Sequence, residues 1–318
     1  MRTGPCGAAP RPAELRNLPA PAKLNLFLHV TGRRRDGYHL LETVFQFVDL
    51  CDRIDLFRRD DGVIARRGAP PGVPEALDLT LRAARALQAA TGSRYGVEIA
   101  LAKTIPIGAG LGGGSSDAAT VLLGLDRLWG LGLSRRELIE IARPLGADVP
   151  VFVHGRNAYA TGIGDRFRPV ALAPCWYVLL MPPAGIATQS VFADPKLTRD
   201  TKPLTISGFS RAYTPTQLPG RNDLEAVVSA REPAVAAALA RLRTDAHAVA
   251  PRASVRMTGS GACVFAAAGS REAAQAIAAE LQASGPQRSS GREKQASVGT
   301  VHLVTGLAEH PLGSRQVG

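Results

Sequence analysis

The chain has 318 residues, 45% of them hydrophobic and 20% charged. With a mean hydropathy of +0.01, this is ordinary globular composition for two domains or one large one, which excludes wholesale disorder. The net charge of +11 comes almost entirely from Arg, because lysine occurs only at Lys23, Lys103, Lys196, Lys202 and Lys294. That excess suits anionic ligands, whether phosphorylated metabolites or nucleic acid, or reflects Arg-rich composition alone; aromatics at 5% are too sparse for a base-stacking platform.

Residues 1–19 are rich in Ala, Pro and Arg and lack the apolar stretch of a secretory signal. Pro5, Pro10, Pro12 and Pro19 disfavour the amphipathic helix of a transit peptide, so the segment reads as a disordered extension. Order is expected from about Pro21, with a strand at Leu24–Val30 and a loop at Gly32–Gly37. Thr43–Leu50 and Arg53–Phe57 read as two further strands. Asp78–Ala90 carries Leu79, Ala83, Ala86 and Leu87 at helical spacing and stops at Gly92. Val97–Leu101 is a predicted strand, and Ser115–Trp129 a predicted helix with Ala118, Ala119, Leu122 and Leu125 on one face. Ser134 and Glu137 spell a capping box for a helix to about Leu145.

Strands are expected at Asn157–Gly164 and Cys175–Met181, with a domain boundary in a loop between Arg166 and Pro174. The predicted domains are therefore 20–168 and 169–313, each mixing helices and strands as in an α+β fold. Further on, helices are expected up to Ala230, at Pro233–Arg243 and at Glu272–Ala283, with strands at Ser254–Thr258 and Ala262–Ala267. The polar stretch 284–298 reads as a flexible loop. No apolar run reaches the length of about 20 residues that a membrane helix needs. Cys6, Cys51, Cys175 and Cys263 form no C-x-x-C pair, which points to a reducing, cytoplasmic setting without a disulfide framework or zinc site.

The segment richest in chemistry is Pro106, Ile107, Gly108, Ala109, Gly110, Leu111, Gly112, Gly113, Gly114, Ser115 and Ser116. It joins a strand to a helix. Glycines there let successive N–H groups converge on an anion at the helix N-terminus. Ser115 and Ser116 can cap the helix, touch a phosphate oxygen or hold a metal. Gly108, Gly110 and Gly113 fit G-x-G-x-x-G, but Asp126 lies on the following helix and not at the end of a second strand, as a dinucleotide fold requires. No lysine lies in the segment, so it is not a Walker-type P-loop. What remains is a triphosphate site of another design.

On these residues the chain resembles a GHMP-family kinase, whose phosphate segment has the form P-x-x-x-G-L-G-S/G-S-S. Three further blocks narrow the resemblance to one branch: Pro21–Leu26 with Asp36–His39, Leu145–Phe152, and Met257–Phe265. It spans about residues 20–312 in order. The resemblance implies a two-domain fold with the active site in the cleft between the domains. It implies transfer of a phosphoryl group from ATP, with Mg²⁺, to the 2-hydroxyl of a cytidine-diphosphate-linked methylerythritol, a step towards isoprenoid precursors. Lys23 and Asp148 match the family's catalytic pair, and Pro106–Ser116 its ATP loop. Asn25, Tyr38, His39, Thr188 and Phe192 match positions lining the acceptor site. No metal ligand is assigned, and no protein partner, nucleic acid or membrane is implied. Ala109, Asp117 and Asp78-Leu79 depart from the pattern, Asp117 standing where Asn is common.

Taken alone, Lys23 is a lysine at a strand start, Asp148 an aspartate at a helix start, and Tyr38-His39 a surface pair. Two other readings stay open on the residues. One is a kinase of homoserine or mevalonate type. The other is a basic, non-catalytic nucleotide- or nucleic-acid-binding protein, which would need no lysine–aspartate pair.

Overall fold

The computed structural model describes residues 12–68, 73–283 and 299–313. Residues 1–11 of the expected extension and the whole of 284–298 lie outside them.

The first half is built on a long hairpin. β1 (Glu14–Arg33) and β2 (His39–Arg59) pair antiparallel, with Lys23 opposite Phe47, Asn25 opposite Phe45 and Arg33 opposite His39. β1 thus starts well before Pro21, and the expectation of disorder up to residue 19 fails for its last part. Leu15 and Leu18 pack into the core under β2. Pro19 and Pro21 are tolerated because β1 pairs with β2 alone, which leaves its other edge without a ladder partner to lose. The two strands expected between Thr43 and Phe57 are one strand. Pro21 pairs with Cys51 and Ala22 with Val48, so the residues between form a bulge and not a break.

β3 (Ile64–Arg67), β4 (Gly96–Ala102), β5 (Ala158–Thr161) and β6 (Arg166–Pro169) complete this sheet in the order β3-β4-β2-β5-β6. Four helices accompany it: α1 (Leu79–Thr91), α2 (Gly113–Trp129), α3 (Arg135–Ala142) and α4 (Val149–His154). Asp78 caps α1 through Thr80 N–H, and Gly92 ends it at φ 66°. The capping box of α3 forms as read, with both Ser134 and Glu137 engaged. α2 is buried on nearly every side, from Ser116 to Trp129, as its apolar composition demands.

The boundary placed at 168/169 falls inside β6, which pairs with β5 in the first sheet. The chain crosses over only beyond it, before β7 (Trp176–Met181). There follow α5 (Thr188–Phe192), α6 (Ile206–Ala212), α7 (Glu225–Arg231), α8 (Pro233–Val249), β8 (Val255–Met257), β9 (Val264–Ala267), α9 (Arg271–Ala283) and β10 (Thr300–Thr305). The second sheet is antiparallel throughout, in the order β10-β7-β9-β8. Val178, Leu180, Val264 and Ala266 face a core shared with α8 and α9. Their neighbours Tyr177, Leu179 and Phe265 face the other way, joining Leu24, Leu26, Phe27 and Val44 of the first sheet in one apolar seam. This alternation is what presses the two sheets together. Beyond β10 the chain returns to the first half, where Leu307 N–H donates to Phe47 O and His310 N–H to Gly155 O.

Candidate active site

A cleft of about 500 Å³ runs along the junction of the two halves. Its floor is the glycine segment, where Gly108, Gly110 and Gly112 all adopt φ between 71° and 74°. α2 opens at Gly113, earlier than its expected start at Ser115. Its N-cap is Gly112 and no side chain caps it, so neither serine does the capping anticipated for it. That leaves first-turn N–H groups uncapped at the positive end of the helix dipole. Ser116 Oγ is buried and has no hydrogen-bond partner among the described residues.

The opposite wall is the turn Thr258–Gly261 after β8. A Cβ on Gly110 would lie 2.4 Å from Thr258 O, and one on Gly259 2.8 Å from Gly110 O. Cys263 N–H donates to Ala109 O at 3.1 Å. Backbone therefore meets backbone across the junction. Asn222 secures the turn by donating to Met257 O and Gly259 O.

Lys23 enters from β1 and is 3% exposed. Its N–H donates to Leu111 O, tying the strand to the glycine segment. Its Nζ donates to Asn25 Oδ1 at 2.6 Å and Gly110 O at 3.1 Å, and lies 3.3 Å from Asp148 Oδ2. Asn25 in turn donates to Thr43 Oγ1 at 2.9 Å, and Thr43 to Phe27 O. Asp148 stands just ahead of α4, but its carboxylate makes no capping bond and is 34% exposed. It is thus free to meet a ligand in the cleft.

Of the acceptor-side expectations, Asn25, Thr188 and Phe192 line the same cleft as the glycine segment, Lys23 and Asp148. Thr188 Oγ1 lies 2.7 Å from Ser260 Oγ. His39 does not itself line the cleft, but its ring packs on Phe192, with centroids 5.1 Å apart. Burial, and then Arg199 and Arg33, hold its pKa below the usual histidine value. Tyr38 is 62% exposed and stands outside the cleft lining.

The departures from the family pattern find structural places. Asp78 caps α1 and pairs with Arg66 at 2.9 Å. Asp117 points down from the first turns of α2 to Lys103 Nζ, 2.8 Å away, a lysine that also binds Asp52. Asp52 accepts Thr104 N–H and Ile105 N–H as well, anchoring the strand that leads into the glycine segment. Burial opposes the Lys103 ammonium, but Asp117 and Asp52 raise its pKa above the ordinary value. For Asp117, burial and the nearby Asp52 outweigh Lys103 and push it up to about 7. Lys103 and Asp52 escaped the reading of the sequence. The one signal available was that Lys103 is among only five lysines and stands just before the glycine segment.

Sequence comparison agrees with this architecture. The GHMP kinases N terminal domain profile matches residues 78–156, and the GHMP kinases C terminal profile matches residues 217–287. The chain is a GHMP kinase. It is 53% identical to the 4-diphosphocytidyl-2-C-methyl-D-erythritol kinase of Cupriavidus taiwanensis, over 95% of this chain and 97% of the relative. It is 50% identical to that of Bordetella pertussis, over 94% and 97%. A crystal structure of 4-(cytidine 5'-diphospho)-2C-methyl-D-erythritol kinase superposes with a TM-score of 0.73 at 34% identity, covering 92% of this chain and 98% of the other. This chain belongs to the 4-diphosphocytidyl-2-C-methyl-D-erythritol kinase family. Among the described residues, no helix is long and apolar enough to cross a membrane.

Proposed function

We propose that the chain transfers the γ-phosphoryl group of ATP to the 2-hydroxyl of 4-(cytidine 5'-diphospho)-2-C-methyl-D-erythritol, giving the 2-phosphate and ADP. The observation that carries this reading is the Lys23–Asp148 pair, with Nζ and Oδ2 3.3 Å apart, in the cleft that the glycine segment floors. The names of the relatives supply the acceptor.

Phosphoryl transfer needs alignment and charge stabilisation more than covalent help from the protein. The N–H groups of the glycine segment and the start of α2 receive the phosphates. Asp148 accepts the hydroxyl proton, or orients the hydroxyl towards the phosphorus. Lys23 brings positive charge beside the equatorial oxygens while Asn25 and Gly110 O hold its ammonium in place. Asn25, Thr188 and Phe192 hold the acceptor from the cleft lining, with His39 packed on Phe192 and Tyr38 beside it at the rim.

Among the described residues no group of three or more His, Cys, Asp or Glu could hold a metal by itself. Mg²⁺ is usually bound by one or two protein oxygens together with substrate phosphates. The Ser115 hydroxyl, at the start of α2 and in the cleft lining, is the oxygen that would hold it beside the phosphates, whereas the Ser116 hydroxyl is buried and does not line the cleft. Bound there, the ion would neutralise charge on the phosphate oxygens. In this reading the enzyme works in the cytoplasm, where the free thiols Cys51, Cys175 and Cys263 stay reduced.

The test is ATP consumption by purified protein with an acceptor panel. The cytidine-diphosphate methylerythritol should be consumed far faster than homoserine or mevalonate. Turnover with homoserine or mevalonate alone would keep the fold and overturn the acceptor.

A further inference from the structure

Arg199 lies beyond α5 and outside the cleft lining, yet its guanidinium makes four hydrogen bonds on the acceptor side. Nη1 donates to Leu197 O at 2.9 Å. Nη2 donates to Phe192 O at 3.0 Å and Asp194 O at 2.6 Å. Nε donates to His39 Nε2 at 3.1 Å. One planar group therefore ties the end of α5 to the first residue of β2, and so joins the two rings of the His39–Phe192 contact.

The chemistry of the last bond decides the state of His39. A guanidinium has donors only and keeps its protons, so Nε2 must present its lone pair. The ring proton then resides on Nδ1, which has no partner among the described residues. Without such a constraint a neutral imidazole distributes its proton over both nitrogens. The charged groups facing the ring are Arg199 and, from β1, Arg33. The nearby carboxylates are engaged elsewhere, Asp36 with Arg34 and Asp194 with Arg231.

We propose that Arg199 is a positioning residue that locks His39 as the neutral Nδ1–H tautomer against Phe192, so that the acceptor side offers one fixed N–H donor. The second half of this proposal rests on the acceptor assignment made above. A fixed donor selects a base edge that presents a hydrogen-bond acceptor and rejects one that presents N–H.

Two measurements on Arg199→Gln test it, with Arg199→Met, which has no donor to offer Nε2, beside it in case the first variant folds poorly. The first is ¹⁵N NMR of ¹⁵N-histidine-labelled, ligand-free protein near pH 8, with His39 assigned by comparison with His39→Gln. The parent should show a protonated Nδ1 and an unprotonated Nε2, and the variants a pattern shifted towards Nε2–H. Variants that keep the parent pattern would overturn the lock, whatever the substrate. The second is steady-state kinetics. Loss of the donor should raise the acceptor KM about tenfold near pH 8, with kcat and the ATP KM changed less than about twofold. The penalty should shrink at acid pH, where a protonated ring again carries Nδ1–H; burial and Arg33 place that range below the ordinary histidine value. A penalty equal at every pH would reduce Arg199 to plain loop support and overturn the proposal. A changed tautomer with an unchanged acceptor KM would leave the lock standing and overturn the acceptor assignment of His39.

Discussion

Lys23 and Asp148 are brought to 3.3 Å by elements that share no ladder: Lys23 leaves a strand of the first sheet, and Asp148 precedes a helix beneath it. The glycine segment fixes the lysine of the pair, accepting Lys23 N–H at Leu111 O and Lys23 Nζ at Gly110 O. Lys23 is therefore only as well placed as that segment, which itself packs against the turn at Thr258–Gly261.

Gly110 and Gly108 separate the two demands made on a glycine here. Both have φ +74°, so alanine strains either, by about 1–2 kcal/mol. At Gly108 the added methyl group meets nothing within 4 Å, whereas at Gly110 it would meet Thr258 O at 2.4 Å. Gly110→Ala should therefore lower the thermal midpoint well beyond Gly108→Ala and raise the ATP KM by more. Equal midpoints from differential scanning calorimetry would show that the two backbones do not pack as described.

His39→Ala removes one ring of the His39–Phe192 contact. The acceptor KM should rise about tenfold or more while the ATP KM stays within about twofold. A parallel rise in both would place His39 outside the acceptor pocket.

Two buried groups give stability opposite dependences on pH. Asp117, pushed up to about 7 chiefly by its burial, is stabilised as the neutral acid. Its contribution is complete below about pH 4 and is lost as the pH rises through about 7. Asp117→Asn should flatten that dependence, so that its midpoint relative to the parent improves between pH 5 and pH 8. His310 is fully buried and pushed down to about 3, by burial first and then by Arg135 and Arg127. Its contribution is complete above about pH 6.5 and falls away towards pH 3. His310→Gln should flatten the acid limb. Urea midpoints across pH 4–8 check both, and an unchanged slope in either variant would contradict the corresponding burial.

The parts of the site visible in the sequence are those fixed locally. Five glycines within Gly108–Gly114 ahead of an apolar helical repeat announce a phosphate loop, and Ser134 with Glu137 announces its helix. Long-range partners leave no such trace. Nothing near Gly110 shows that the turn after β8 will press against it. Nothing near Asp117 shows that Asp52 will share its lysine. Pro12 and Pro19 hide the start of β1, whereas the structure stabilises the segment through Leu15 and Leu18, a tertiary effect. A bulge interrupts the pattern of β2, so its sequence looks like two strands. Tyr38 and His39 both come from the family resemblance; Tyr38 precedes β2 and is 62% exposed, so nothing in its own packing marks it as part of the site.

The most direct test of the account is mass spectrometry of the products formed from Mg-ATP and the cytidine-diphosphate methylerythritol by the parent and by Asp148→Asn. The parent should yield a product heavier by one phosphoryl group. The variant should bind ATP with nearly unchanged affinity and form that product at least about a hundredfold more slowly. A variant that turns over at close to the parent rate would contradict the role given to Asp148, and with it the reading of the Lys23–Asp148 pair.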